Sequence, residues 1–298
     1  MSDDKTEVAE NNPGRDGNKV FQGDLPKGNF GQPNMTGGGM KSKLFQEIPF
    51  ELIGLPSKGV IYEEGHALSG AESIEIKAMG PTEEDILTSP ALIKKGTVIT
   101  ELLKSCLIDK SIDPGDMIAG DRNAIMTAVR AVGYGSSYGP VEVECSECNY
   151  KDKEHHFMLN KLPFKPLTIE PVKPFSNLFS FTLPKAGFSV LFKFLTGHEE
   201  EMISKTKANK KKMLGQIIEN NVTEQLLNTI VQIEDVTDRA EISMYITRYM
   251  NAQDSKSLRK FMDENEPGIV MKQNHDCPAC NHSEEVNIPI GVNFFWPE

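Results

Sequence analysis

Val141-Glu-Val-Glu-Cys145-Ser-Glu-Cys148-Asn149 and Cys277-Pro-Ala-Cys280-Asn281-His-Ser-Glu-Glu-Val286-Asn-Ile288 are the two stretches that decide the fold. Each holds a Cys-x-x-Cys pair followed by Asn, and each pair adjoins a short alternating apolar run. Cys145, Cys148, Cys277 and Cys280 therefore read as the two halves of one ribbon, with four thiolates suited to a closed, structural Zn²⁺ site, one ion per chain. Such a site has no open position for substrate or activated water, so the metal would hold the fold and catalyse nothing.

Residues 149–276 separate the two pairs, whereas a compact ribbon has about 15 to 20 residues between them. The expected fold is thus α+β: a β-rich and helical N-terminal domain with a discontinuous zinc ribbon and an inserted, mostly helical domain. Closing so long a loop is tolerable because its entropy cost grows only with the logarithm of length. Structural zinc contributes about 10 to 16 kcal/mol in small fingers. Two disulfides, redox-active dithiols or unrelated buried cysteines are the competing readings. The absence of a secretory signal in the sequence argues against disulfides, and neither pair has thioredoxin-like surroundings. His155, His156, His275 and His282 lie near the pairs. Any of them would serve in place of a thiolate, but they read as solvent-facing or as supports behind the ligands.

The 298 residues give room for two domains and a tail, and the net charge of −11 with a pI near 5.2 disfavours nonspecific attraction to phosphate or anionic lipid. Protein partners are expected, with no membrane partner, since no apolar run reaches the roughly 18 residues a spanning helix needs. Cys106, in Leu102-Leu103-Lys-Ser-Cys106-Leu107, reads as a small core residue.

Residues 1–44 are rich in Gly, Asn, Asp and Pro and read as a disordered tail, with Phe21, Leu25 and Phe30 as anchors should it order on a neighbour. The first domain spans 45–162, the insertion 163–268, and the second knuckle with a C-terminal strand 269–298. Within the first domain, strands are expected over 48–53 and 74–78. A helix follows from a cap at Thr82 to a break at Pro90, a second covers 98–108, and a third runs from a cap at Asp121 to Gly133. The carboxylates Glu83, Glu84 and Asp85 read as partners of the helix dipole. Gly133 to Gly139 follows a helix and leads to a strand, the wrong order for a phosphate loop.

In the insertion, Pro163, Pro166, Pro171 and Pro174 imply a stiff extended linker. A strand or hairpin is expected around Phe179-Ser-Phe181-Thr-Leu183, and a helix opened by Thr196-Gly-His-Glu199 becomes basic at Lys205, Lys207, Lys210, Lys211 and Lys212. A strand is expected over 226–233, a helix over 238–251, and another over 254–264 capped by Asp254. Phe294-Phe295-Trp296-Pro297 reads as a last core strand or an exposed contact. No Walker loop, dinucleotide fingerprint, nucleophile elbow or His-Glu-x-x-His helix occurs, so neither an enzyme nor a small-molecule substrate is implied.

Taken in order, Leu55-Pro-Ser-Lys-Gly-Val-Ile-Tyr62, Ala119-Gly-Asp-Arg-Asn-Ala-Ile125 leading to Arg130 and Gly133-Tyr-Gly135, and the Cys145/Cys148 pair just beyond carry a resemblance. The chain, roughly from Ile48 onward, resembles the T4-type bacteriophage baseplate hub proteins, including hub assembly proteins of contractile-tailed phages. That resemblance implies a non-enzymatic protein of the tail baseplate, or one acting while the central hub assembles in the host cytoplasm. Its partners would be other hub or wedge proteins, and the four cysteines would carry over as metal ligands. The alternative is a zinc-ribbon nucleic-acid-binding factor whose contact surface is Lys205 to Lys212. The lack of interleaved aromatics for base stacking weighs against it.

Overall fold

A computed structural model of the chain describes residues 50–214, 221–289 and 292–295. The tail expected over 1–44, with Phe21, Leu25 and Phe30, lies outside the described residues, as do Trp296 and Pro297. The fold is α+β.

The chain enters through β1 (Phe50–Gly54), which pairs antiparallel with β2 (Ser73–Lys77), and alternation puts Ile74 and Ile76 in the core. The connection between them holds the stretch Leu55 to Tyr62. Gly59 sits at φ +69° with its α-carbon against the backbone of Leu68, Gly70 and Ala71, so any side chain there would collide. Ser57 and Tyr62 turn inward from this loop and converge on Asp121. Its carboxylate accepts from the Ser57 N–H at 3.0 Å, the Ser57 hydroxyl at 2.6 Å and the Tyr62 hydroxyl at 2.7 Å. The two motifs are therefore two sides of one buried polar network. Burial raises the Asp121 pKa even though all three hydrogen bonds act to lower it.

Three short helices follow: α1 (Pro81–Thr88), α2 (Pro90–Lys95) and α3 (Val98–Cys106). Gly80, not Thr82, is the N-cap of α1. Pro81 occupies the first helical position, and Glu83 closes a capping box onto the Gly80 N–H at 2.8 Å. Pro90 ends α1 as expected but also starts α2. On α3, Leu102, Leu103 and Cys106 are fully buried, and burial, followed by the Glu83 charge, pushes the Cys106 thiol up to about 12. That suits an inert core residue.

The longest element of this half is α4 (Ala119–Tyr134), with Ala124, Ile125, Ala128 and Val129 buried along it. Asp121 does not cap it. The helix starts two residues earlier, and the carboxylate is committed to Ser57 and Tyr62. Arg130, also buried, donates from Nε to the Phe294 carbonyl at 2.9 Å and from its two terminal nitrogens to Gly135 and Ser137 at 2.9 and 3.2 Å. One guanidinium thus ties the end of α4, the start of β3 (Ser137–Glu144) and the C-terminal turn together. Phe294 and Phe295 are core residues, but in a 3₁₀ turn (Val292–Phe295) and not the expected strand.

Antiparallel β4 (Lys151–Met158) completes a hairpin with β3, after which β5 (Phe164–Lys165) leads away. The segment that follows contains a three-stranded antiparallel sheet in which β7 (Ser189–Phe192) lies between β6 (Phe179–Thr182) and β8 (Ile230–Ile233). Its inner face buries Phe179, Val190, Phe192 and Ile230, and Phe194 joins them from the residues after β7. Between β7 and β8 run α5 (Gly197–Leu214) and α6 (Asn221–Thr229). The expected strand over 226–233 is corrected here, because its first four residues are helical. Leu226 and Thr229 are three apart and both buried on α6, a helical spacing that a run of β-prone residues conceals.

Asp238 caps α7 (Arg239–Met244), accepting from Ala240 and Glu241, and a π-helical turn (Tyr245–Tyr249) continues it. Next, α8 (Ala252–Asn265) is capped by Asn251, not Asp254. Asp254 is fully buried and accepts the Lys185 and Ala186 N–H groups at 2.8 and 3.0 Å, so it holds the β6–β7 turn. The chain returns through β9 (Gly268–Ile269), which pairs with β5, and ends in the hairpin β10 (Lys272–Asp276) and β11 (Ser283–Asn287).

The first turn of α4 joins these parts. The Ala119 N–H donates to the Leu195 carbonyl at 3.1 Å, and the Gly197 N–H to that of Met117 at 2.9 Å. Gly120 lies against the backbone of Pro267, where a methyl group would strike the carbonyl oxygen.

Glu83 offers a direct check on this packing. Burial opposes its charge, but Lys77 at 2.7 Å, the Ser105 hydroxyl and the Gly80 N–H bring its carboxyl from 4.5 down to about 2. A depressed folded-state pKa contributes stability above the unfolded value and loses it as pH falls toward the folded one. Glu83→Gln should destabilise the protein at pH 7 by about 3 kcal/mol. Denaturant titrations should show the difference from the native protein shrinking between pH 4.5 and about 2.

Candidate metal centre

The two terminal hairpins lie side by side, and β4 faces β10 through side chains. The Gln273 amide replaces a strand neighbour for Met158, accepting its N–H at 2.9 Å and donating to its carbonyl at 2.6 Å. Further along, His275 Nε2 lies 3.1 Å from Asp152 Oδ2, and at the tip the Ser146 N–H donates to Glu284 at 3.0 Å. These contacts align the two tips, where the cysteines sit.

The tips share one backbone conformation. The Cys145 N–H donates to the Tyr150 carbonyl at 2.9 Å and the Asn149 N–H to the Cys145 carbonyl at 3.0 Å; the matching Cys277–His282 and Asn281–Cys277 bonds are 2.8 and 2.9 Å. Asn149 and Asn281 have φ of +57° and +59°. Asn tolerates this left-handed conformation better than other side chains, which accounts for its place after each pair. The resulting turn points both sulfurs of a tip the same way, and backbone N–H groups of Tyr150 and His282 are directed at Cys148 and Cys280.

All four sulfurs lie within 4.8 Å of one another. Cys145 Sγ is 3.7 Å from Cys280 Sγ, and Cys148 Sγ is 3.6 Å from Cys277 Sγ. A disulfide needs about 2.05 Å. Tetrahedral coordination with metal–sulfur bonds of about 2.3 Å gives sulfur–sulfur edges of about 3.8 Å. The four cysteines are free thiols whose spacing is compatible with a structural metal and too wide for disulfides. Burial works against a thiolate at Cys277, yet the N–H groups of Cys280 and Ala279 bring its pKa down to about 7. Four such sulfurs at these distances would repel one another as anions without a shared cation.

The histidines divide. Among the four, His275 is wholly buried, which corrects the solvent-facing reading for that residue, and it meets Asp152 and His155. His155 lies edge-on to it, with ring centroids 4.8 Å apart. Asp152 was not singled out in the sequence: it stands three residues before His155, a spacing that strand alternation puts on opposite faces, and the β3–β4 register shift between Val141/His155 and Val143/Asp152 brings the two together. Of the basic stretch, Lys205 pairs with Glu201 at 3.7 Å, one helical turn away, while the side chains of Lys207 and Lys210 to Lys212 lie outside the described residues.

Cys148 and Cys280 are exposed, so a bare thiol at either position should alkylate readily. In the metal-loaded protein both should resist iodoacetamide and become reactive when a chelator is added, with peptide mass mapping as the readout. Cys106 should remain unmodified until the protein unfolds.

Comparison with known families matched residues 66–296 to the model for the T4 bacteriophage base plate protein. Comparisons with curated proteins and with solved structures gave no match. The matched region contains α4 with Asp121 and Arg130, both hairpins and everything between them, and begins after Ser57 and Tyr62, the partners of Asp121. With most of its length accounted for in this way, the chain belongs to the family of T4 bacteriophage base plate proteins.

Proposed function

We propose that this chain is a non-enzymatic protein of the baseplate hub of a contractile tail, either a component or an assembly factor, whose scaffold is stapled by one Zn²⁺ bound to Cys145, Cys148, Cys277 and Cys280. Family membership supports the tail setting. The observation that carries the mechanical reading is the closed set of four sulfurs drawn from two hairpins far apart in the sequence of the matched region. A four-thiolate zinc site has no vacancy for a reacting ligand, so its contribution is to stability and to the alignment of what it joins. On this reading the metal fixes residues 45–162 to residues 269–298 and thereby sets the ends of the inserted domain, 163–268. Pairing of β5 with β9 at those ends is consistent with that division.

Hub or wedge subunits are the proposed partners, met in the host cytoplasm during assembly and in the tail baseplate if the protein remains there. The net charge of −11 and the solvent-facing Phe188, Met244 and Tyr249 favour protein partners over nucleic acid. No helix among the described residues is long and apolar enough to cross a membrane.

Tagged protein recovered from infected cells during tail assembly should bring hub or wedge subunits with it, identified by mass spectrometry. Recovery without any tail protein, combined with normal tail formation when the gene is deleted, would contradict the proposal. Analysis of finished tails then separates the two roles, since an assembly factor should be missing from the particle.

A further inference from the structure

We propose that Asp152, His155 and His275 form a second metal site, for a divalent ion of the zinc type, one layer below the four thiols between the same two hairpins. The inference is independent of the cysteine site. Asp152 and His155 stand on β4 and His275 on β10, so this cluster, too, spans the junction of the two hairpins.

The carboxylate is held in place from one side. The Glu154 N–H donates to Asp152 Oδ1 at 3.1 Å, leaving Oδ2 at 3.1 Å from His275 Nε2 and 3.9 Å from His155 Nδ1. One ligand atom from each of the three residues falls within 4.8 Å of the other two. Edges of about 3.3 Å are needed for tetrahedral nitrogen and oxygen ligands at about 2.0 Å from zinc, a spacing that small side-chain rotations would reach.

The ring nitrogens beside the carboxylate are His275 Nε2 and His155 Nδ1, so each imidazole turns one nitrogen toward the same point as Asp152 Oδ2. With the ring protons on the opposite nitrogens, His155 Nε2 and His275 Nδ1, both near nitrogens present the lone pair that a metal ligand needs. No Lys or Arg among the described residues forms an ion pair with Asp152. Two imidazoles and one carboxylate are a recurrent ligand set for zinc and related ions, with a remaining position for water. The side chains of Asp152 and His155 are each 18 % exposed, so an ion has a way in past them, whereas His275 at 0 % forms the floor.

Cobalt(II) titration of the metal-stripped full chain distinguishes the two sites by their spectra. The thiols should give intense sulfur-to-metal charge transfer in the near ultraviolet, and a second equivalent should add visible d–d absorption without increasing that band. Elemental analysis of zinc-loaded protein should find two ions per chain. The double variant Asp152→Asn with His155→Gln, which leaves the buried His275 in place, should lose the second equivalent and keep the thiolate band. Saturation of the native chain at the thiolate band alone would overturn the proposal, as would a second equivalent that survives in the variant.

Discussion

The architecture depends on bringing together two hairpin tips that are far apart in sequence. Cys148 and Cys277 are 129 positions apart, yet their sulfurs lie 3.6 Å from each other. Each hairpin alone is a two-stranded ribbon with many exposed residues, and an isolated hairpin is at best marginally stable. Neither could fix the other's position through strand pairing, because β3–β4 and β10–β11 are separate sheets. Side-chain contacts such as Gln273 on Met158 set their alignment, and the sulfurs gather at one end of that alignment.

Below the hairpins, α4 performs a related task with hydrogen bonds. At its start, Asp121 fixes the Ser57–Tyr62 loop; at its end, Arg130 fixes the C-terminal turn. Both side chains are buried; Asp121 is met by groups 64 and 59 positions away, and Arg130 by the distant Phe294 as well as the nearby Gly135 and Ser137. Buried polar groups of this kind specify one arrangement, since any slip of the helix would strand a carboxylate or a guanidinium without partners. The stretches around Ser57 and Asp121, and around Arg130 and Gly135, thus each supply one side of a contact that the other completes.

Sequence reasoning reached the cysteine pairs because Cys-x-x-Cys followed by Asn is a local pattern, and its turn is encoded locally by the left-handed Asn149 and Asn281. It also reached most helices and the hairpin at Phe179. It failed where a local pattern had a distant cause. Asp121 and Asp254 look like caps because an acidic residue opening an apolar helix usually is one, but both are drawn into loops supplied from elsewhere. Ile118 and Asn251 take the capping positions instead. The helix over 221–229 was hidden because its apolar residues also fit a strand. Asp152 facing His275 was out of reach altogether, since it exists only once the two hairpins are aligned.

Whether one ion joins the two tips can be tested directly by X-ray absorption at the zinc edge on the purified, full-length protein. The account predicts a dominant shell of sulfur at about 2.3 Å, the distance of thiolate-bound zinc. Zinc bound with no sulfur shell, or undamaged protein with no metal at all, would contradict it.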